Sequence, residues 1–404
     1  MDSVNEYNLR SSYEDSYGHY TTGCKLVERG ESELAIEEFK KVLSINSTHS
    51  PSYFMLGNIY FEKGELELAL DAYLKAIEFN PQEVTARINL GNLFLNQGKL
   101  EEAIEKYLEA IDLEPENPNT HNSLARAFTS IENIEGAIEE YQKTIELDPS
   151  YVEAFYNLGN IFFDQGMLDF ALDNYQRALE LAPEDPFILN SLGSVYLAQG
   201  ILDKAGTSYS RALELNPAFP NGHYNLGLVY FQQGIINDAI TEFEKALEVN
   251  PRDYVVRNNL GYAYYKLGDY DKALNEYETA IEISPDFVEA HNNLGHLYGA
   301  MGKWNLAVSE ANKALELNPY IVSAYRNLGL AYMAFGIFDQ AIEEFKKALE
   351  IDDTYAKANF HLGEVYIKLG KVQEAIENFE IYLSLDPEGE FVELAKNYLQ
   401  KLRK

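Results

Sequence analysis

The groups able to do chemistry in this chain of 404 residues are few in kind: 65 carboxylates, seven histidines, a single cysteine (Cys24), and asparagines at matched spacing. Asn89, Asn157, Asn225, Asn259, Asn293 and Asn327 stand whole multiples of 34 residues apart, and Asn58, Asn92 and Asn160 form a second such row. An amide both donates and accepts, so a row of amides suits the main chain of an extended peptide whatever its side chains. Asparagine costs up to about 0.7 kcal/mol against alanine in a helix, so its repeated use there calls for a compensating role.

The other reactive groups form no catalytic constellation. His19, His121, His223 and His291 occupy one lattice position that elsewhere holds Tyr53, Phe155 or Tyr325, so they are expected to face the core. His296 and His361 are expected to project outward, without a carboxylate pattern that would complete a metal site. One cysteine forbids an internal disulfide, a CxxC pair and a cysteine-based zinc site, and nothing nearby in sequence activates it. No GxxxxGK[ST], GxGxxG or GxSxG motif occurs, so no enzyme, cofactor or metal is expected.

Charge narrows the partners. With 32 Lys and Arg the net charge is −33, a poor balance for binding phosphates, so nucleic acid is not expected. The acids cluster in runs such as Glu101-Glu102-Ala103-Ile104-Glu105 and Glu343-Glu344, which read as solvated outer faces; attraction of a basic partner is the alternative. No run of about 18 apolar residues exists, and Met1-Asp2-Ser3-Val4-Asn5-Glu6 has neither a basic nor an apolar leader region, so a cytoplasmic protein without membrane insertion is expected. An apolar content of 46%, with 13% aromatic, supplies a core.

The elements that must position these groups follow from the same period. Leu-Gly pairs from Leu56-Gly57 to Leu362-Gly363 fall on one lattice, with Leu124-Ala125 filling the missing node, and eleven repeats run over residues 16–389 without insertion or deletion. Numbered from Ser50 as position 1 of repeat two, a repeat has Leu at 7, Gly at 8, an aromatic at 11, Gly at 15, Ala at 20, an aromatic at 24, Ala at 27 and Pro at 32. Apolar spacing at 4, 7, 8 and 11, and again at 17, 20, 24 and 27, gives two amphipathic helices joined near the glycine at 15. The small residues at 8 and 20 admit close approach, and the aromatics fill the volume beside them. Proline at 32 follows Asn80, Asp148, Asn216, Asn250, Ser284, Asn318 or Asp386, a pair expected to cap and start the next helix. A hairpin of 34 residues cannot bury its own core, so repeats must stack. Residues 1–15 are expected to form a flexible polar tail. Residues 390–404, with Phe391, Leu394, Tyr398, Leu399 and Leu402 at helical spacing, are expected to form a capping helix; a short basic membrane-binding helix is the rival.

These positions resemble the tetratricopeptide repeat (TPR) over about nine tenths of the chain. The resemblance implies an all-α fold, a right-handed α-solenoid superhelix of eleven helix-turn-helix units plus the C-terminal capping helix, with the first helices lining a concave groove. Departures stand at position 4 (Arg87, His121, His223, Arg257, His291, Asn359), at Thr22 in repeat one, at Ala125 and Glu132 in repeat four, at Ala311 in repeat nine and at Asp353 in repeat ten. Looser packing is expected near repeats one, four and nine. The asparagine ladder looks like that of the O-GlcNAc transferase superhelix, where such residues hold peptide main chain, although no catalytic domain is present here. Some family members clamp an acidic terminus with Lys and Arg at positions 2, 5 and 6. Here Phe54, Ile88 and Thr85 occupy those places, with Arg126 and Arg326 standing alone, so that clamp is incomplete.

At about 100° per residue, positions 2, 6, 9 and 13 point away from the core while 5 and 12 form its shoulder. Shoulder pairs are Phe54 with Phe61, Ile88 with Leu95, Tyr156 with Phe163, and Tyr224 with Phe231; position 12 is expected to pack between repeats. Six amide bonds at about 1 kcal/mol each barely meet an association cost of about 4–15 kcal/mol, so affinity needs buried apolar anchors. The expectation is a non-catalytic scaffold gripping an extended or amphipathic segment, with Phe54, Ile88, Tyr156 and Tyr224 as anchors. Its rivals are self-association into a filament or coat, and a targeting subunit of a separately encoded enzyme.

Overall fold

The computed structural model describes residues 2–219 and 221–403, with side chains from Glu14 onward; Met1 and Lys404, counted above in the tail and terminal helix, lie outside the described residues. Two compact bodies divide the chain, residues 1–195 and 196–404. The helices of the first are α1 (Asp2–Glu28), α2 (Ser32–Ile45), α3 (Ser50–Glu62), α4 (Leu66–Phe79), α5 (Val84–Asn96), α6 (Leu100–Leu113), α7 (Pro118–Ser130), α8 (Ile134–Leu147), α9 (Val152–Asp164) and α10 (Leu168–Leu181); α11 (Pro186–Ala198) runs over the boundary. The second holds α12 (Leu202–Leu215), α13 (Gly222–Gln232), α14 (Ile236–Val249), α15 (Tyr254–Leu267), α16 (Tyr270–Ile283), α17 (Val288–Ala300), α18 (Trp304–Leu317), α19 (Val322–Ala334), α20 (Phe338–Ile351), α21 (Ala356–Lys368), α22 (Val372–Leu385) and α23 (Val392–Leu402). Among the described residues the fold is all-α, a solenoid-type array of paired helices.

Within each body a first helix packs on its own second helix, and the second helix packs on the first helix of the next repeat. Alanine at position 20 is buried in all eleven repeats. The glycine at position 8 lies under the aromatic at 24: a Cβ added to Gly57 or Gly329 would stand 2.5 Å from the ring of Tyr73 or Phe345. In these repeats the absence of a Cβ is what lets the ring approach the first helix so closely.

The glycine at position 15 adopts a positive φ, from 71° at Gly166 to 85° at Gly268, and so reverses the chain between the two helices. Repeat four makes the same turn with Glu132 at φ 59°. Packing there is tight, since Ala125 and Tyr141 are both buried, contrary to the looseness expected. Repeat one is close-packed too, around fully buried Phe39. Repeat nine alone meets that expectation, with a cavity described below.

The Asn-Pro pairs correct the sequence reading. Asn80, Asp148, Asn216, Asn250, Ser284, Asn318 and Asp386 end the second helix rather than start the first, each backbone N–H bonding the carbonyl four residues earlier. The Asn80 Oδ1 accepts from the Gln82 N–H at 3.2 Å, Asp148 from Ser150 at 2.9 Å and Asn318 from Tyr320 at 3.0 Å, so proline sits inside an Asx turn. Where a side chain caps the next first helix it lies further on: Asn117 for α7 and Asp253 for α15.

Backbone helix continues through residues 2–15, set apart above as a tail. At the other end α23 buries Val392, Ala395 and Leu399 against α22, and Phe391 stacks on Phe360 at 4.4 Å.

The strained turn of repeat four is testable. Glu132→Gly should stabilise α7 and α8 by about 1 kcal/mol, because a side chain at positive φ is disfavoured by about that much. Hydrogen exchange of the α7 and α8 amides should slow accordingly; unchanged exchange contradicts the strain.

Candidate functional site

Both asparagine rows are engaged within the fold. At position 9, the Tyr73, Tyr107 and Tyr175 hydroxyls donate to Asn58 Oδ1 (2.9 Å), Asn92 Oδ1 (2.7 Å) and Asn160 Oδ1 (2.6 Å). Burial pushes these phenols well above their ordinary range, so each stays a neutral donor. At position 6, the amide donates back to the first helix of the preceding repeat: Asn89 Nδ2 to Asn58 Oδ1 (2.8 Å), Asn293 Nδ2 to Asn258 Oδ1 (2.9 Å), and Asn327 Nδ2 to both Asn292 O and Oδ1 (3.2 Å each). Asn259 Nδ2 donates to Tyr224 Oη at 3.3 Å and to its own helix at Val255 O. Asn157 takes the equivalent half-buried place on α9, near the Tyr141 hydroxyl that burial pushes up to about 12, and Asn225 the same place on α13.

Position 6 therefore staples neighbouring first helices and position 9 ties a first helix to its own second helix, roles the sequence reading did not foresee. Their amides are not exhausted by these roles, since a side-chain amide offers two donors and two lone pairs. All nine are half-buried except Asn327, which is 4% exposed.

The shoulder residues pack onto the same hairpins. Phe54, Tyr156 and Tyr224 are half-buried, with rings 6.4, 5.9 and 6.0 Å from Tyr73, Tyr175 and Phe243. Ile88 is buried in the core with Val84 and Tyr107.

Position 4 carries the largest surprise. His121 Nδ1 lies 2.6 Å from Glu140 Oε2 while Nε2 lies 2.8 Å from Pro115 O; His223 pairs likewise with Glu242 and Pro217 O, and His291 with Glu310 and Pro285 O. His19 meets Glu38 at 2.6 Å, and Arg257 bridges Glu276 and Pro251 O. These side chains are polar staples: His121 and His291 are buried, as a core-facing position requires, yet His121, His223, His291 and Arg257 each join first helix, second helix and preceding turn. A partial signal was present: all four histidines at position 4, and Arg257, accompany Glu nineteen residues later, whereas Tyr53, Phe155 and Leu189 accompany Ala72, Asn174 and Ser208; Arg87 with Lys106 and Tyr325 with Glu344 break the pattern.

His361 also departs from expectation. It is buried, 3.0 Å from Glu364 and stacked on Phe345, so it does not project outward. His296 packs 5.1 Å from the Tyr265 ring; burial, then the charges of Arg326, Lys357 and Lys266, lower its pKa to about 4. Trp304 is half-buried beside a cavity. Among the described residues no three His, Cys, Asp or Glu side chains gather as a metal site, and no helix is long and apolar enough to cross a membrane.

Comparison with known families accords with this architecture. The TPR repeat model matches residues 57–98, 91–130, 125–166, 193–234, 229–268, 261–302 and 331–370, and further tetratricopeptide repeat models match 38–71, 152–185, 288–320 and 356–388. The chain belongs to the tetratricopeptide repeat family, whose proteins serve as protein-interaction scaffolds. Among curated proteins no sequence matches it significantly. Among solved structures, a tetratricopeptide repeat protein from Parabacteroides merdae is similar at 21% identity and TM-score 0.53, over 63% of this chain and 99% of that one. The APC/C hetero-tetramer Cut9-Hcn1 is similar at 14% identity and TM-score 0.51, over 95% of each chain. Both likenesses are of fold.

Two outcomes are expected. Asn293→Ala and Asn327→Ala should each cost about 1 kcal/mol or more, since each removes an inter-repeat bond and strips a partner from Asn258 or Asn292; faster hydrogen exchange in α17 and α19 checks this. His296 holds fewer protons folded than unfolded between its lowered pKa and the ordinary value of about 6.5, so stability is full above that range and falls as pH drops through it, by up to ~3 kcal/mol. His296→Gln should flatten that part of the stability profile, measured by urea unfolding at pH 7, 5.5 and 4.5.

Proposed function

We propose that this chain is a non-catalytic cytoplasmic scaffold that holds an extended or amphipathic segment of a partner protein against the face carried by its first helices. The observation supporting this is the state of the amides at positions 6 and 9: half-exposed, yet oriented by a bond to a buried tyrosine or to the neighbouring helix. Pre-set donors and acceptors reduce the ordering cost of binding a main chain. Phe54, Tyr156 and Tyr224, half-buried beside them, offer apolar area at fixed positions, and Ile88 shapes the floor from within the core. The acids of the second helices that the position-4 staples do not engage are left to solvent or to basic partners. In this reading residues 16–389 are the binding array, 390–404 its cap, and 1–15 a polar tail outside it.

The test is a cross-linking pull-down from native extract with the parent chain and with Asn157→Ala, Asn225→Ala and Asn259→Ala combined, circular dichroism and the hydrogen exchange of the first-helix amides verifying that helix content and the packing between repeats are retained. Captured partners should fall by tenfold or more in the triple variant. Unchanged capture removes the amide rows from the binding face.

A further inference from the structure

Repeat nine lacks the large residues that fill its neighbours. Gly299 stands where repeats two, five, seven and eight carry Phe61, Phe163, Phe231 and Tyr265, and Ala311 stands where every other repeat has its closing aromatic. The result is a cavity of about 260 Å³ on the first-helix face of α15, α17 and α19, walled by Tyr265, His296, Gly299, Trp304, Asn327 and Leu330. Its walls carry three aromatic rings, and three cations stand near enough to act on His296 in the wall. Lys266 lies 5.4 Å over the Tyr262 ring, which stacks on Tyr265. Arg326 gives one Nη2 bond to Asn327 at 3.2 Å, makes no ion pair among the described residues, and keeps its Nε buried without a hydrogen-bond partner. Lys357 reaches Glu390, at the turn before α23, at 2.6 Å.

In a chain of net charge −33, three cations therefore share one carboxylate at this cavity. That carboxylate shows what the cations take: the Lys357 bond lowers the pKa of Glu390 first, and the charges of Lys357, Arg326 and Lys266 act in the same direction. The same three cations act on His296 in the cavity wall, which places them around one spot although they come from α15, α19 and α21. They stand at positions 13, 5 and 2 of repeats eight, ten and eleven; Arg326 and Lys357 share positions with the clamp described above, whereas Lys266 does not.

We propose that this cavity binds an acidic protein segment carrying an aromatic side chain. The ring enters between Trp304 and Tyr265, and the adjoining carboxylate bonds the Arg326 guanidinium, with Lys266 and Lys357 adding charge. Arg326 makes no ion pair among the described residues, so an incoming carboxylate gives its guanidinium a charge-assisted bond. The distant acids oppose approach only weakly, because the Debye length is about 8 Å at physiological ionic strength. This inference rests on the reading that the first-helix face binds peptide.

Trp304 is the one tryptophan in the chain, so its fluorescence, excited at 295 nm, reports the cavity directly. Titration with acetyl-Glu-Phe-Glu-Phe-amide should give a saturable change. Acetyl-Lys-Phe-Lys-Phe-amide and acetyl-Glu-Ala-Glu-Ala-amide should bind at least tenfold more weakly. Arg326→Gln should weaken the first peptide by tenfold or more, as loss of a charged hydrogen bond predicts. Glu390→Gln, which removes the internal competitor, should tighten it. Gly299→Met, copying Met333 of the next repeat, should fill the cavity and abolish the signal with helix content intact. Equal binding of the lysine peptide, indifference to the phenylalanines, no saturable change, or unchanged affinity in both Arg326→Gln and Glu390→Gln overturns the proposal. A silent Trp304 alongside amide-dependent capture sinks this pocket alone. A peptide that binds here while capture ignores the amides sinks the amide reading alone.

Discussion

The contact on which the architecture depends is the face of one aromatic ring laid on a backbone that has no side chain. Where glycine occupies position 8, Tyr73, Phe345 and their equivalents rest on the first helix at a distance no Cβ would allow. That approach sets the separation of the two helices in a hairpin, and the buried alanine at position 20 keeps the second helix equally close. Because a hairpin of this size cannot stand alone, the separation is copied into every inter-repeat contact, and the spacing of groups on the first-helix face follows from it. Repeat nine shows what happens when the ring is missing. With Ala311 in its place, the nearest atoms to a Cβ on Gly295 become the backbone of the second helix, at 3.3 Å, and the helices keep their place. The cavity opens instead toward Trp304, beside the second missing ring at Gly299.

The tyrosines join this packing to the polar face. Tyr73, Tyr107 and Tyr175 bury their rings in the hairpin and send their hydroxyls through to the amides at position 9. An aromatic that fills volume and ends in a donor ties the orientation of a surface amide to the core. In the pair Asn58 and Asn89 the bond is passed on, because one Oδ1 accepts both from Tyr73 and from the next repeat. Structural and binding roles thus coincide in the same side chains. Replacing such an amide alters both the surface and the fit between repeats, so helix content alone does not separate the two effects.

Most of the fold was legible because its signals are short-range and repeated eleven times: small residue, ring and turn glycine each recur at a fixed offset. The same offsets misled at the Asn-Pro pairs, where a residue type that caps either helix end was assigned to the wrong one; the Asx turn at Asn80 depends on the turn that follows rather than on the pair. The His-Glu staples escaped because their partners are nineteen residues apart and on different helices. Angular bookkeeping on one helix cannot see such a pair, although comparison of Tyr53/Ala72 with His121/Glu140 would have exposed it. His361 was misread for a similar reason: helical phase puts position 6 outward, but in the last repeat Phe391 and Tyr398 arrive to cover that face. The cavity at repeat nine needed three helices to be placed together.

A repeat array faces a problem that a unique core does not, since every hairpin presents nearly the same apolar surface and a neighbour could dock in a wrong register. Apolar contacts between similar surfaces discriminate poorly, whereas a buried polar group left without its partner carries a penalty of about 1–3 kcal/mol. The staples vary from repeat to repeat in a way that meets this need: His121 to Glu140, Arg257 to Glu276, Asn293 to Asn258, Asn327 to the Asn292 carbonyl. Each is anchored on the preceding turn, the partner helix or the adjacent first helix, so a misplaced hairpin leaves donors facing nothing. Polar variation laid over apolar uniformity gives neighbouring repeats distinct addresses while leaving the ring-on-glycine spacing constant. The same variation makes one stretch of the first-helix face amide-lined and another cationic and aromatic, so specificity for a partner and specificity of assembly arise from the same departures from the repeat.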